Sequence, residues 1–220
     1  MFRKMLGNFF KNIPTVADFG CGHGLMQVLC EKELGWNVDG FDLDVTALQK
    51  SMAARQKKFL YNALDKKPRF LKRYDLIILF DVLEHVEQEI EFLRAILAHL
   101  KNGGLLALNV PARPWLFSAY DKANGHFRRY SQRSLALLKR SLPVVQVGFT
   151  EWGTPYLPLL LCRKAIVARA KNPDQALRDG FRVGSPLVNH LLGGLGKMEK
   201  IPHHFPGTSL MGLWKKTDES

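Results

Sequence analysis

"ADFGCGHG", residues 17–24, sets three glycines at alternate positions, directly after a short apolar run and directly before a segment of helical periodicity. The run "TVADF" (15–19) reads as a strand and "GLMQVLCEKEL" (24–34) as a helix, joined by a tight loop. Strand, loop and helix in that order open an α/β sheet, whose ligands sit beyond the carboxyl ends of the strands. Gly20, Gly22 and Gly24 permit backbone conformations closed to other residues and let a ligand approach the main chain without meeting a Cβ. The loop is therefore the expected floor of a site.

Its spacing differs from the dinucleotide fingerprint G-x-G-x-x-G, in which helix amides face a pyrophosphate. Here the pattern is D-x-G-x-G-x-G, and Leu25 stands where the third glycine of the dinucleotide form would be. Asp18 opens the loop, poorly matched to a phosphate and well matched to a ligand carrying positive charge and amine donors. "NVDGFDLD" (37–44) is a second strand ending in acids, and its Asp42 falls 22 residues after Gly20, where a carboxylate accepts both hydroxyls of a ribose. A nucleoside with a cationic tail, S-adenosylmethionine, satisfies both acids together.

The pattern repeats downstream. "TALQKSMAA" (46–54) is a helix with Thr46 as its cap, "KKFLYNA" (57–63) a third strand, and "YDLIILF" (74–80) a continuous apolar run of the kind buried on both faces of a parallel sheet. Ile90, Leu93, Ile96, Leu97 and Leu100 mark one face of a helix that stops at Lys101, Asn102, Gly103 and Gly104, and "LLALNV" (105–110) is a fifth strand. A polar, aromatic and basic loop (111–130), a helix "SLALLKRS", a strand "VVQVGFT" (144–150) and a final strand in "GTSLMGLWKK" complete the chain. Residues 153–205 form an insertion with helix-like pieces at 157–170 and 186–199. The predicted fold is a doubly wound, Rossmann-like, mostly parallel seven-stranded sheet with an antiparallel last strand and a helical insertion before it.

Bulk properties narrow the class. The 220 residues suit one domain with a real core, with 111–130 and 153–205 as insertions that cap a substrate. Three separated cysteines suggest neither a disulfide framework nor a zinc site, and with no signal peptide in "MFRKMLGNFFKNIP" the expectation is a reduced, cytoplasmic protein. The longest apolar stretch, "YLPLLLC" (156–162), is far below the roughly 20 residues that cross a bilayer. Thirty-two Lys and Arg against 20 Asp and Glu leave a net charge of +12, which favours anionic surroundings without choosing among nucleic acid, acidic lipid, an acidic metabolite and plain solvation.

"ADFGCGHG", "GFDLD" and "DLIILFDVLEHVE" resemble the first, second and fourth motifs of class I S-adenosylmethionine-dependent methyltransferases. "VPARPWLFSAYDKANGHFRRYSQRSL" (110–135) and "FPGTSLMGLWKK" resemble the bacterial type 11 or 12 subgroup, distantly similar to ubiquinone-biosynthesis O-methyltransferases. The resemblance implies that Gly20, Gly22 and Gly24 line the methionine moiety and ribose, that Asp42 holds the ribose hydroxyls and that Asp18 orients the cofactor through the loop. It also implies that Asp81 faces the sulfonium side, that Cys21, Leu43 and Val82 adjoin the cofactor, and that Asn62, or else Asp65, stands where relatives bind the adenine amino group with an aspartate.

Methylation of a hydroxyl needs a base, and histidine is the default base near neutral pH. His126 in "DKANGHFRRY" is the first candidate, with His85 and Tyr130 beside it in the catalytic set; His85 and Glu84 could equally decorate a helix start. Asp121, Arg128 and Arg129 are candidates for binding an anionic group of the acceptor. The alternative is that "HFRRY" is a structural corner whose arginines pair with acids at the rim. No carboxylate stands at coordinating spacing, so no metal is inferred. "LPLLLCRKAIVARAKN" (157–172) suits either an amphipathic helix against an anionic membrane or greasy acceptor, peripheral to an inner membrane, or a helix covering the sheet. The expected partner is a small or lipid-linked acceptor. No sequence that clamps a flipped base and no RNA-binding module is present, so a stable nucleic-acid partner is not expected; RNA methylation and a non-catalytic cofactor-binding scaffold are the competing readings.

Overall fold

Tyr74–Phe80 is a strand along its whole length. Its Ile77 and Leu79 enter one apolar layer and Leu76 and Ile78 the other, and all four are fully buried, as a strand covered on both faces requires. The structure, a computed structural model, describes residues 14–169 and 206–217 together with Leu6, Phe9 and Asn12. Its strands are β1 (Val16–Phe19), β2 (Val38–Asp42), β3 (Lys58–Leu60), β4 (Tyr74–Phe80), β5 (Leu100–Pro111), β6 (Val144–Trp152) and β7 (Ser209–Lys216). Among the described residues the α-helices that accompany them are α1 (Leu25–Leu34), α2 (Val45–Gln49), α3 (Glu89–His99), α4 (Ala119–Ala123), α5 (Gln132–Arg140) and α6 (Leu157–Arg169).

The sheet runs β3-β2-β1-β4-β5-β7-β6. β1 to β5 pair in parallel, and β7 lies antiparallel between β5 and β6. The predicted doubly wound seven-stranded class with an antiparallel last strand is borne out. The chain winds outward from β1 through β2 to β3, then restarts at β4 and winds the other way, so the switch point lies between the carboxyl ends of β1 and β4.

Three local expectations are corrected. α2 is capped by Asp44, not Thr46: the Asp44 carboxylate accepts from the amides of Thr46 and Ala47 at 2.8 and 3.1 Å, and the helix closes at Gln49. α3 ends at His99, because the fully buried Leu100 pairs with Tyr74 and draws Lys101–Gly104 into β5 instead of a glycine cap. The loop 111–130 carries α4, whose capping box joins Ser118 and Asp121, and the Ala112–Tyr130 bridge closes its base. α6 begins the insertion at its expected place; the second helical piece, 186–199, and His203 and His204 lie outside the described residues.

One layer of the core is aromatic. Phe19, Phe41, Tyr61, Phe70 and Tyr74 pack with Leu93 and Ile96 of α3 and Leu135 of α5. Within it the Lys67 amide donates to the Tyr61 hydroxyl at 3.0 Å, and that hydroxyl lies 2.8 Å from His99 Nε2. His99 Nδ1 is 2.7 Å from the Ala95 carbonyl, which can only accept, so Nδ1 carries the proton and Nε2 receives Tyr61. The opposite layer joins Val16, Cys30, Val38 and Leu213. At the edge of the sheet the insertion leaves after Trp152 and returns at Gly207. The Gly207 amide donates to Glu151 at 2.9 Å, the Thr208 hydroxyl to the Gly153 carbonyl at 3.2 Å, and Arg113 pairs with the same Glu151.

Candidate active site

The glycine loop is held by the end of β2. Gly20 and Cys21 donate their amides to the Phe41 carbonyl at 2.8 and 3.1 Å, Gly22 donates to Asp42 Oδ2 at 2.7 Å, and Gly24 donates to the Cys21 carbonyl at 2.8 Å. These four amides are consumed internally, so they offer no cradle to a phosphate. All three glycines have positive φ, but for different reasons: a Cβ on Gly20 would lie 2.3 Å from Val82 Cγ2 and one on Gly24 2.5 Å from Ser51 Oγ. Nothing lies within 4 Å of the Cβ position of Gly22, so the space above it is open.

Asp18 is buried beneath this loop, and burial together with Asp42 raises its pKa to about 7. The buried Asp18 and the half-buried Asp42 thus bring two carboxylates together at the ends of β1 and β2. Asp42 also accepts the Asp44 amide at 2.8 Å, while the neighbouring Leu43 is 67% exposed at the rim. Cys21 is buried and its thiol is pushed up to about 12 by burial and then by Asp18, so it is inert as a nucleophile. Asn62 accepts from the Leu64 amide at 3.0 Å and caps a short 3-10 turn, Ala63–Asp65.

Across the switch point, Asp81 follows β4 with φ of +55° and is exposed to the cleft. Asn109 Nδ2 donates to its Oδ1 at 2.8 Å, and Trp152 Nε1 donates to Asn109 Oδ1 at 2.7 Å. Desolvation raises the Asp81 pKa against the opposing effect of Asn109. Neither Asn109 nor Trp152 was expected at the site; the available signal was a single polar residue inside the apolar run "LLALNV".

Beside Asp81 the fold gathers Glu84, His85 and His126. The two imidazoles meet edge to face with centroids 4.6 Å apart. His126 Nδ1 is 3.5 Å from Asp121 Oδ1 and makes no hydrogen bond among the described residues; burial, then His85, lowers the His126 pKa. The imidazole is therefore neutral at neutral pH, the form a base requires. Glu84 is buried with Oε2 unpartnered among the described residues, and burial lifts its pKa to about 8. Glu84, His85 and His126 each bring one ligand atom within 4.8 Å of the others. The carboxylate absent at coordinating spacing in the sequence is thus supplied by the fold, as a donor set able to hold a divalent cation.

The remaining candidates form the corner. Arg129 donates to Asp121 Oδ1 at 2.7 Å through Nε and 2.6 Å through Nη2, both side chains nearly inaccessible, and Asp121 Oδ2 accepts the Ser118 amide at 2.9 Å. Arg128 pairs with Glu89 at 2.5 Å and donates to the Glu87 carbonyl at 3.1 Å. The Tyr130 hydroxyl is buried and donates to Glu89 at 2.5 Å, with burial and Glu89 raising its pKa far above the ordinary range. Asp121, Arg128, Arg129 and Tyr130 are engaged with one another and with the rim acids, the arrangement of a structural corner rather than of an anion-binding set.

A family model described as a methyltransferase domain matches residues 3–141. The chain belongs to this methyltransferase family. It is 30% identical over 111 residues to the mitochondrial ubiquinone biosynthesis O-methyltransferase of Candida albicans, a stretch covering 46% of this chain and 34% of that protein. It is 29% identical over 112 residues to the ubiquinone biosynthesis O-methyltransferase of Rickettsia conorii, covering 49% and 38%. The matches thus span little more than a third of these curated relatives. An S-adenosylmethionine-dependent methyltransferase from Archaeoglobus fulgidus superposes with a TM-score of 0.58 at 18% identity, over 98% of this chain and 91% of that one, a likeness of fold. The expected class, a methyltransferase dependent on S-adenosylmethionine, is borne out, and the acids, the open space over Gly22 and the occupied loop amides of this methyltransferase fit that cofactor.

Proposed function

We propose that this methyltransferase transfers a methyl group to a hydroxyl of a small or lipid-linked acceptor. The observation that carries the reading is the His126 imidazole, edge to face with His85 at a centroid distance of 4.6 Å and 3.5 Å from Asp121, its pKa lowered by burial. S-Adenosylmethionine, when bound, supplies an electrophilic methyl on a cationic sulfur. Asp42 would accept the ribose hydroxyls while keeping Gly22 in place, and Asp18, whose pKa burial and Asp42 raise to about 7, would be drawn toward its ionised form by the cationic cofactor. His126 takes the hydroxyl proton as the acceptor oxygen becomes a nucleophile, and Asp121, itself fixed by Arg129 and Ser118, stabilises the imidazolium that results. Alignment and exclusion of water supply the rest of the rate.

We assign the acceptor-side cap to the segment 111–130 and the insertion 153–205, of which the structure describes the start, through α6. In support, α6 packs against α4 and the turn Pro114–Leu116, and Lys164 donates to the Trp115 carbonyl. Trp115, Phe127, Leu159 and Leu161 of these segments are exposed apolar side chains of the kind a greasy acceptor meets. Among the described residues no helix is long and apolar enough to cross a membrane.

Calorimetric titration with S-adenosylmethionine, followed by S-adenosylhomocysteine release with catechol, quinol and polyprenyl-phenol acceptors, tests the reading. Cofactor binding with turnover on a hydroxyl acceptor supports it. Turnover confined to amine or carbon acceptors overturns the hydroxyl assignment.

A further inference from the structure

Asn109 sits in β5 between an indole, whose hydrogen-bonding sense is fixed, and the Asp81 carboxyl group, which accepts when ionised and can donate when protonated. An indole N–H can only donate, so Trp152 compels Asn109 to present its oxygen toward β6, at 2.7 Å. Its amide nitrogen must then face Asp81, where it donates at 2.8 Å. The Asp81 amide in turn donates to the Asn109 carbonyl at 3.0 Å, pinning the same pair by the main chain. Trp152 thus reaches across β7 to decide which end of an amide Asp81 meets, and with it the ionic form that Asp81 prefers. A donor aimed at a carboxylate favours the anion; the reversed amide would offer a lone pair and disfavour it.

Asp81 stands at the switch point, where β4 ends and the residue after it, Val82, lies against Gly20 of the cofactor loop. An anion held there acts on the charge of whatever occupies the cleft. The two forms of the cofactor differ in that respect: the methyl donor carries a cationic sulfur and the demethylated product a neutral one.

We propose that Trp152 is a positioning residue which, through Asn109, keeps an amide donor on Asp81 and so adds an attraction for the sulfonium cofactor that its neutral-sulfur product lacks. The inference rests on the methyltransferase reading of the cleft. It gives the strand that opens the insertion a part in discharging the spent cofactor, because loss of the sulfonium charge removes the attraction that Asp81 provides.

The test is calorimetric titration of the wild type, Trp152→Phe, Asn109→Leu and the double variant with S-adenosylmethionine and S-adenosylhomocysteine separately, with circular dichroism to verify folding. Trp152→Phe keeps an aromatic ring and removes only the donor. The expected result is an affinity for S-adenosylmethionine weakened about tenfold, the worth of one hydrogen bond to a charged group, with S-adenosylhomocysteine changed less than about twofold. Asn109→Leu shows the same selective loss, and the double variant adds nothing further because both changes break one relay. Equal weakening of both ligands, or none, in either folded variant overturns the proposal while leaving the cofactor assignment standing. Failure of the wild type to bind S-adenosylmethionine removes the assignment and the proposal together.

Discussion

Asp42 Oδ2 accepts the Gly22 amide at 2.7 Å, so the carboxylate at the end of β2 shapes the glycine loop that follows β1. The residue thus has a task toward the protein and, in the proposed function, a second toward the ribose. Asp42→Ala removes both. The expected outcome is loss of S-adenosylmethionine affinity by about 10- to 100-fold, from a charge-assisted hydrogen bond, together with a lower melting temperature without ligand. Calorimetry and a thermal melt on the same sample check it, and an unchanged melting temperature would confine Asp42 to the ligand.

Gly22 and Gly24 separate strain from space. Alanine at Gly24 meets Ser51 Oγ and Ala53 Cβ at 2.5 and 2.9 Å on top of a φ of +79°, so a stability loss of about 2–4 kcal/mol is expected by denaturant unfolding. Alanine at Gly22 meets nothing within 4 Å and costs only the left-handed backbone, about 1–2 kcal/mol. Its methyl group nevertheless enters the open space assigned to the cofactor in the proposed function, so Gly22→Ala is expected to fold and to bind S-adenosylmethionine poorly.

Asp18 makes the ligand-free protein sensitive to pH. Its folded pKa of about 7 lies above the usual 3.8. Stability from this group is therefore full below about pH 4 and declines as pH rises through 7, where burial and Asp42 oppose ionisation. Glu84, lifted to about 8, acts in the same direction over a slightly higher window. The rise in melting temperature on adding S-adenosylmethionine should be larger at pH 8 than at pH 5.5, because at pH 8 the cation meets an ionised Asp18. Asp18→Asn should flatten that difference, which differential scanning fluorimetry at the two pH values reads directly.

His126→Gln tests the base. With an active hydroxyl acceptor, kcat should fall about 10²- to 10³-fold while affinity for S-adenosylmethionine stays within about twofold. Since the His126 pKa is lowered, the wild-type rate should hold through neutral pH and decline only below the usual histidine value. An undiminished kcat in the variant removes His126 from the chemistry.

Tyr61→Phe addresses the core alone. It leaves His99 Nε2 and the Lys67 amide without their shared hydroxyl, and a loss of about 1–3 kcal/mol is expected in urea unfolding. Cofactor affinity should be unaffected.

What could be read from the residues follows the range of the forces involved. Tyr74–Phe80 was legible along its whole length because burial on both faces leaves no polar residue inside a central strand except its first turn outward, Asp75, which pairs with Lys101 at 2.8 Å. The glycine loop and Asp42 were legible because a turn and a strand end carry their chemistry locally. Lys101–Gly104 misled because it has the composition of a helix end, and only the pairing of Leu100 with Tyr74 decides otherwise. The histidine pair joins residues 41 positions apart and the Trp152–Asn109 contact 43, distances over which a single sequence carries no pairing information. The same holds for "HFRRY", where local charge suggested a ligand and the fold supplied Asp121 and Glu89 as partners.

At the root of the insertion, Gly153 and Thr208 are bonded to each other, and Glu151 grips both Gly207 and Arg113. The chain therefore departs and re-enters through a closed gate whose two posts belong to adjacent strands. Because the ends are already brought together, altering the number of residues between them changes the closure entropy only logarithmically, by about 0.6 kcal/mol for each doubling. The enclosed segment is in that sense a cassette: a graft cut between Gly153 and Gly207 could retune the acceptor while β6 and β7 kept their register and Trp152, outside the cut, kept its bond to Asn109.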